Sequence, residues 1–342
     1  MWTYVLPKTW TLCLAIVCAA FFAFPGIVST QELRPQTLML AADDLNSSSS
    51  HVSTPTADDI SPGSNSSHLS TPADASIAQT DAAKSLIPDA IYYTVQEKHS
   101  FAVQAAHWGV PSKILLALNP TFSMNSVLQA GDKLCVFRAN AQSKEPLSIG
   151  RASRGRLQHA VPMPEGEGYF LRSYRPRSWA TRNTIEALIT AFSAYAQKYP
   201  EGPRVNLGDL SKRRGGKVTP HSSHQSGRDV DFGLIVTDAP DPKHPEHFQY
   251  ANAQNLDAEK SWFLIHALIK TGEVQKIYLD AKLQKLLYVE AAKTLNDEEL
   301  KAIFPLPRHK DSASAIFQHW KGHKNHFHVR FKCPAKQWRC KS

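Results

Sequence analysis

Cysteine is scarce in this sequence. The 342 residues hold five, Cys13, Cys18, Cys135, Cys333 and Cys340, and the first two fall in an apolar N-terminal run. The other three are weak candidates for metal ligands beside the histidine and aspartate set described below. Cys333 and Cys340 flank the short segment from Pro334 to Arg339, and a disulfide closing that loop would belong in an oxidising compartment. Cys135 would then remain a free, buried thiol. A bilayer-spanning run is also missing, because Trp10 to Phe24 falls short of the roughly 20 apolar residues such a helix needs. With Lys8 before it and Pro25-Gly26 after it, the run reads as a secretory signal over residues 1–30, leaving no stable membrane span once cleaved. Acidic residues are outnumbered, 30 against 39 basic ones, for a formal charge of +9. No aromatic-interleaved basic motif accompanies that excess, which argues against nucleic acid and leaves attraction to an anionic polymer, or solubility alone, as its meaning. Apolar residues are sparse over 31–90, where Ser, Thr, Asp, Ala and Pro dominate. Such a segment cannot offset its ordering entropy and is expected to be a flexible tether or a plain spacer.

What the chain does have is histidine in two concentrated places. The stretch from His221 to Phe232 (HSSHQSGRDVDF) holds His221, His224, Asp229 and Asp231, and His323, His326 and His328 follow about a hundred positions later. Catalytic zinc is typically held by three nitrogen, sulfur or carboxylate ligands plus water, and imidazole with carboxylate suits zinc better than calcium or magnesium. His224 and Asp231 are too far apart for adjacent helical turns, so the chain is expected to fold back through Gly227 and bring both to one point. In Asn325 to Lys332 the apolar Phe327, Val329 and Phe331 alternate with polar residues, the period of a half-buried strand, which puts His326 and His328 on one face.

Four segments, Gly208-Asp209-Leu210-Ser211, Arg214-Gly215-Gly216, HSSHQSGRDVDF and GHKNHFHVRFKCP, resemble those of the penicillin-insensitive murein endopeptidases, a branch of the lysostaphin and D-alanyl-D-alanine metallopeptidase group. That group is marked by a histidine, six intervening residues, an aspartate and, much later, a His-x-His. The resemblance runs from about Gly150 to the C-terminus. It implies a zinc peptidase with His224, Asp231 and His328 as metal ligands and His326 as the catalytic histidine. His323 is the second catalytic candidate. His221 and Asp229 are candidates for orienting these groups, and Arg228 for holding a substrate carboxylate or, equally, for an ion pair with its neighbour.

Upstream, a strand at Tyr92–Val95, helices at Ser100–Trp108 and Ser112–Leu118, the second capped by Ser112, and a strand at Lys133–Phe137 are expected. The phrases YTVQEKHS, Trp108-Gly109-Val110-Pro111, Leu118-Asn119-Pro120 and Leu128 to Leu134 are similar to a LysM domain, which implies a βααβ glycan-binding module over residues 91–138. Lys98-His99 departs from the Gly-Asp usual there. A polar linker over 139–155 and a metallopeptidase domain over 156–342 complete the layout. In the latter, amphipathic helices are expected at Thr181–Tyr199 and at Asp257–Lys270, strands at Arg204–Leu207 and Val274–Leu279, and a further helix at Ala281–Leu295. The fold class is therefore α+β, with an antiparallel core sheet flanked by helices.

Zinc on two imidazoles and a carboxylate would lower the pKa of its bound water towards about 7 and polarise an amide carbonyl, with His326 carrying the proton to the leaving amine. The resemblance implies a periplasmic or secreted enzyme that cuts peptidoglycan at the bond between D-alanine and meso-diaminopimelate. A D,D-carboxypeptidase, an L-alanyl-D-glutamate peptidase of the same group and a non-catalytic glycan-binding envelope protein are the alternatives.

Overall fold

The computed structural model describes residues 85–140, 142–240, 243–308 and 312–342. The expected signal segment, and the expected tether up to residue 84, lie outside the described residues. None of the described helices is long and apolar enough to cross a membrane.

The described chain begins with β1 (Ala90–Thr94), β2 (His99–Ser100), α1 (Phe101–Trp108), α2 (Ser112–Leu118), β3 (Val127–Leu128) and β4 (Lys133–Arg138). β1 pairs antiparallel with β4, and β2 with β3. α1 starts where the Ser100 hydroxyl accepts from the amide of Val103, and stops at Gly109, whose φ of 66° is left-handed. Ser112 does not cap α2 as expected. It is the first helical residue, and Pro111 occupies the cap without a side-chain hydrogen bond. The Pro111 carbonyl accepts from the amides of Ile114 and Leu115, and its ring already restricts φ, so no hydroxyl is needed. Asn119 ties α2 to β4: its amide nitrogen donates to the carbonyls of Leu115 and Cys135, each at 2.8 Å, and its oxygen accepts from the amide of Cys135 at 2.9 Å.

Next come β5 (Leu147–Arg151), β6 (Arg154–Gln158), β7 (Val161–Pro162), β8 (Tyr169–Leu171), β9 (Trp179–Ala180), α3 (Arg182–Lys198) and β10 (Val205–Leu207). β5 and β6 form a hairpin, so the stretch expected to be a polar linker contains a strand and its turn. The chain continues through β11 (Asp229–Gly233), α4 (Ala258–Lys270), β12 (Val274–Leu279), α5 (Ala281–Ala291), α6 (Asp297–Ile303), β13 (Phe317–His319) and β14 (His326–Phe331). A six-stranded sheet runs in the order β13-β12-β14-β11-β10-β8. Its three central pairings are antiparallel, and its two edge pairings are parallel.

Alternation along β11 and β14 separates two worlds. Val230, Phe232, Phe327 and Val329 are fully buried, with the Phe232 ring tilted against Phe327 and edge-on to Phe192 of α3. α3 presents Ile185, Leu188, Phe192 and Tyr195 to that side, as its spacing predicts. The opposite face carries Asp229, Asp231, His326, His328 and Arg330. Each large side chain on the buried face contributes about 1.5–3 kcal/mol by leaving water, which fixes the register and hence which residues face the other way. Described residues before and after residue 140 share one hydrophobic core. The Tyr93 hydroxyl donates to the Met163 carbonyl at 2.8 Å, and the buried Arg175 lies over the Tyr93 ring while pairing with Glu165 at 2.6 Å.

Candidate metal centre

The site is built on two neighbouring strands and one loop. In the antiparallel register of β11 and β14, Asp231 stands directly opposite His328, and Asp229 opposite Arg330. Directly opposed residues have Cβ atoms roughly 4.5–5.5 Å apart, close enough for a carboxylate to meet an imidazole. The loop from His221 to Arg228 adds the third member. It turns back through Gly227 at φ 75°, where a side chain would collide with the Leu157 methyls. His224 itself has φ 64°, a left-handed conformation uncommon outside glycine. That conformation is held from several sides: the His224 amide donates to Asp229 Oδ2 at 2.8 Å, its carbonyl accepts from the Ser211 hydroxyl, and the same hydroxyl accepts from the Gly227 amide at 2.9 Å. Here the strained conformation is over-determined by its surroundings.

Three donor atoms converge as a result. His224 Nε2 is 3.3 Å from Asp231 Oδ1 and 3.2 Å from His328 Nδ1, and His328 Nδ1 is 2.9 Å from Asp231 Oδ1. The outer nitrogens fix the tautomers. His224 Nδ1 donates to the Leu210 carbonyl at 2.8 Å, and His328 Nε2 faces Asp229 Oδ1 at 3.5 Å. When the rings are neutral, both inner nitrogens therefore turn lone pairs toward a carboxylate, and among the described residues the buried Asp231 Oδ1 receives no well-aimed hydrogen bond. Lone pairs that face one another call for a cation. Tetrahedral zinc with bonds of about 2.0–2.1 Å would want donors about 3.3 Å apart, so the set fits zinc.

Titration tells the same story. Burial works against a charge on His328, but the carboxylates of Asp231 and Asp229 outweigh it and push its pKa up to about 9. His224 is likewise raised, burial being overcome by Asp231. Asp231 and Asp229 are held far below the usual carboxylate range: burial opposes this, but the two histidines prevail at Asp231, and His328 and Arg330 at Asp229.

His221, His224 and Asp231 make an overlapping trio within 4.8 Å. His221, however, is committed through Nε2 to Asp209 Oδ2 at 2.9 Å, and its Nδ1 lies 3.4 Å from the other carboxylate oxygen of Asp231. The tighter trio is the one with His328. Arg177 in turn holds Asp209 at 2.7 Å. His326 stands outside the triangle, with Nε2 4.0 Å from Asp231 Oδ1. Its Nδ1 lies 2.7 Å from Asn325 Oδ1, and its ring stacks on Phe248 with centroids 5.2 Å apart. Burial lowers the His326 pKa to about 4 despite the opposing pull of Asp231, so the ring is neutral at neutral pH. The His323 ring lies 4.5 Å from that of His326, and its buried Nδ1 has no hydrogen-bond partner among the described residues. Burial lowers its pKa too.

These groups open into a cavity of about 400 Å³, lined among others by His221, His323, Tyr278, Trp320 and Ser153. Arg228 is not in it. Its guanidinium is buried and donates to the carbonyls of Phe331 at 2.9 Å and Lys341 at 2.7 Å, while Asp229 takes Arg330 instead, at 2.7 Å. Arg228 precedes Asp229 by one residue, so the pleat sends it to the opposite face, and neither role expected for it is realised. Cys333 and Cys340 are joined in a disulfide beyond β14, and Cys135 is free and buried. Sequence reasoning missed Asp209, Tyr278, Trp320 and Arg330. Two of them had a usable signal: Asp209 lies in one of the four segments that carry the resemblance, and Arg330 is next in the alternation after His326 and His328.

Residues 148–342 match the profile of the family described as penicillin-insensitive murein endopeptidase. The chain is similar to proteins of that name from Pectobacterium atrosepticum, 28% identical over 57% of this chain and 68% of that one, and from Yersinia enterocolitica, 30% identical over 57% and 69%. A relative of the same name from Haemophilus influenzae is 28% identical over 67% of this chain and 79% of its own.

Proposed function

The chain belongs to the penicillin-insensitive murein endopeptidase family, and from that premise we propose that it is a zinc-dependent enzyme hydrolysing peptide cross-links of peptidoglycan at the D-alanyl to meso-diaminopimelate bond. The observation that carries this reading is the convergence of His224 Nε2, Asp231 Oδ1 and His328 Nδ1 to within 3.3 Å. These residues would hold zinc, which when bound supplies a Lewis acid that activates water and polarises the scissile carbonyl.

The remaining work falls to the chain. His326 donates from Nδ1 to Asn325 Oδ1, which leaves the Nε2 lone pair facing the cavity. A neutral imidazole there accepts the proton of the attacking water, and the nearby Asp231 carboxylate stabilises the imidazolium until it protonates the departing amine. Asp229 orients His328, and Arg330 holds Asp229 ionised. His323 packs on His326 and keeps its ring in place, while Asp209 and Arg177 do the same for His221.

The polar lining favours an endopeptidase over a carboxypeptidase. Recognising a terminal carboxylate calls for a free cation, and Arg330 is the one lysine or arginine among the described residues lining the cavity. Its guanidinium is taken by Asp229 at 2.7 Å. The βααβ segment at 91–138 is proposed as a LysM-like glycan holder, and the whole as periplasmic or secreted. Incubating the purified chain with cross-linked sacculi and analysing the released muropeptides tests the reading. Conversion of dimers to monomers, abolished by a chelator and restored by zinc, is expected; release of terminal alanine alone would replace it with the carboxypeptidase.

A further inference from the structure

A second cavity, of about 850 Å³, lies between α2 and β4 on one side and β6, Trp179 and the Arg213-Arg214 turn on the other. Its lining includes Arg138, Lys144, Arg156, Arg182, Arg213 and Arg214, and among the described residues not one carboxylate. Arg182 is satisfied by Glu145 at 3.2 Å. Among the described residues, Arg156, Arg213 and Arg214 have no acidic partner; Arg213 lies over the Trp179 ring at 5.5 Å. Burial and the adjacent Arg214 hold the Arg213 pKa below the usual guanidinium range. Guanidinium groups sharing one concavity repel, and an anion spanning several of them removes that cost while accepting their paired N–H donors. The walls between the cations are apolar, with Ile114, Leu118, Leu157 and Val161, so the cavity suits an anion that also presents hydrocarbon.

The two cavities are mechanically joined. The turn of the β5–β6 hairpin carries Ser153 into the metal-site cavity and is bonded to the histidine loop through the Gln225 amide and the Ala152 carbonyl at 3.0 Å. The same hairpin, three residues further on, places Arg156 in the basic cavity. A polymer engaged in one cavity is thus gripped within a single hairpin of the other.

We infer that the arginine-lined cavity is a second binding site for the wall polymer, taking a carboxylate-bearing peptide segment while the metal site works on a neighbouring cross-link. This rests on the proposed substrate, whose diaminopimelate and glutamate residues carry free carboxylates. A phosphate-bearing polymer would be the rival anion.

The test uses the full chain, an Arg156→Gln/Arg214→Gln variant of the two exposed residues, and a triple variant that adds Arg213→Gln. Each is sedimented with native sacculi and with sacculi whose carboxyls have been converted to amides, and each is assayed on a soluble cross-linked muropeptide dimer. The triple variant should bind native sacculi about tenfold more weakly, since ion pairs to two exposed guanidiniums and one half-buried one sum to about that factor. The double variant should fall between it and the parent. Amidation should weaken the parent to the same level and leave the triple variant unaffected, and dimer cleavage should stay within about twofold throughout. Variants that sediment like the parent would overturn the site. A parent indifferent to amidation would overturn the carboxylate ligand in favour of phosphate. A parent that fails to cut the dimer would count against the endopeptidase reading alone, since the sedimentation arms do not depend on turnover.

Discussion

His326 and His328 lie two residues apart on one face of β14, yet the geometry separates their roles, and substitution should reveal it. His328 Nδ1 is 2.9 Å from Asp231 Oδ1, inside the donor triangle, whereas His326 Nε2 is 4.0 Å away and outside it. His328→Ala removes one of the three proposed ligands. Loss of a mere supporting contact costs about 10–100-fold in metal affinity, so loss of the ligand itself should exceed that and leave the dialysed protein largely free of zinc. His326→Ala should keep zinc near one equivalent. Turnover should nevertheless fall by about a hundred- to ten-thousand-fold, the contribution of a positioned proton carrier, equivalent to about 2.7–5.4 kcal/mol in the barrier. Free imidazole should restore part of that loss, because truncation leaves a ring-sized gap against Phe248. The measurements are metal content after dialysis and turnover of a soluble dimer, with and without imidazole. A zinc-free His326 variant beside a zinc-loaded His328 variant would refute the assignment and shift the strand reading by one pleat.

Three further outcomes are expected. In chelator-treated protein, the His328 pKa raised to about 9 makes its protonation a stabilising feature, fully present below the ordinary imidazole value of about 6.5 and lost as pH climbs to about 9; thermal melts of the stripped protein should decline across that window, and a flat profile would contradict it. Arg228→Met should cost about 2–4 kcal/mol by deleting two charge-assisted hydrogen bonds to backbone carbonyls, the one to Phe331 buried and the one to Lys341 half-buried, lowering Tm by several degrees with zinc content unchanged; a normal melt would show those bonds to be idle. Cys340→Ser should destabilise by about 2 kcal/mol for so short a loop, and non-reduced peptide mapping of the parent should find Cys333 joined to Cys340, two free thiols being the contrary result.

Periodicity made much of this legible in advance. Phe327, Val329 and Phe331 announced β14 because burial on one side of a pleat writes itself into every second residue, and the α3 and α4 patterns did the same at helical spacing. The same rule, applied to Arg228 and Asp229, would have put them on opposite faces; adjacency in sequence was mistaken for adjacency in space. Tyr278 and Trp320 were illegible for a different reason. Tyr278 meets His328 only through the β12–β14 register, and Trp320 follows a separate edge strand, so neither carries a local signal. The Ser112 cap failed because Pro111 already supplied the constraint a hydroxyl usually provides. The parallel edges of the sheet depended on crossovers that no short-range pattern encodes.

β14 follows every other described strand in the sequence and yet sits in the middle of the sheet, between β12 and β11, which have no pairing of their own. Until it is inserted, the sheet is two unconnected parts, β13 with β12 and β11 with β10 and β8. Asp231 waits on one of them with His224 in the loop beside it, and His328, which completes the triangle, has not arrived. Such non-local pairing forms late, because a long loop must close before any contact rewards it. His328 therefore joins His224 and Asp231 only when β14 goes in, and the proposed donor triangle closes in a single step with the insertion of that strand.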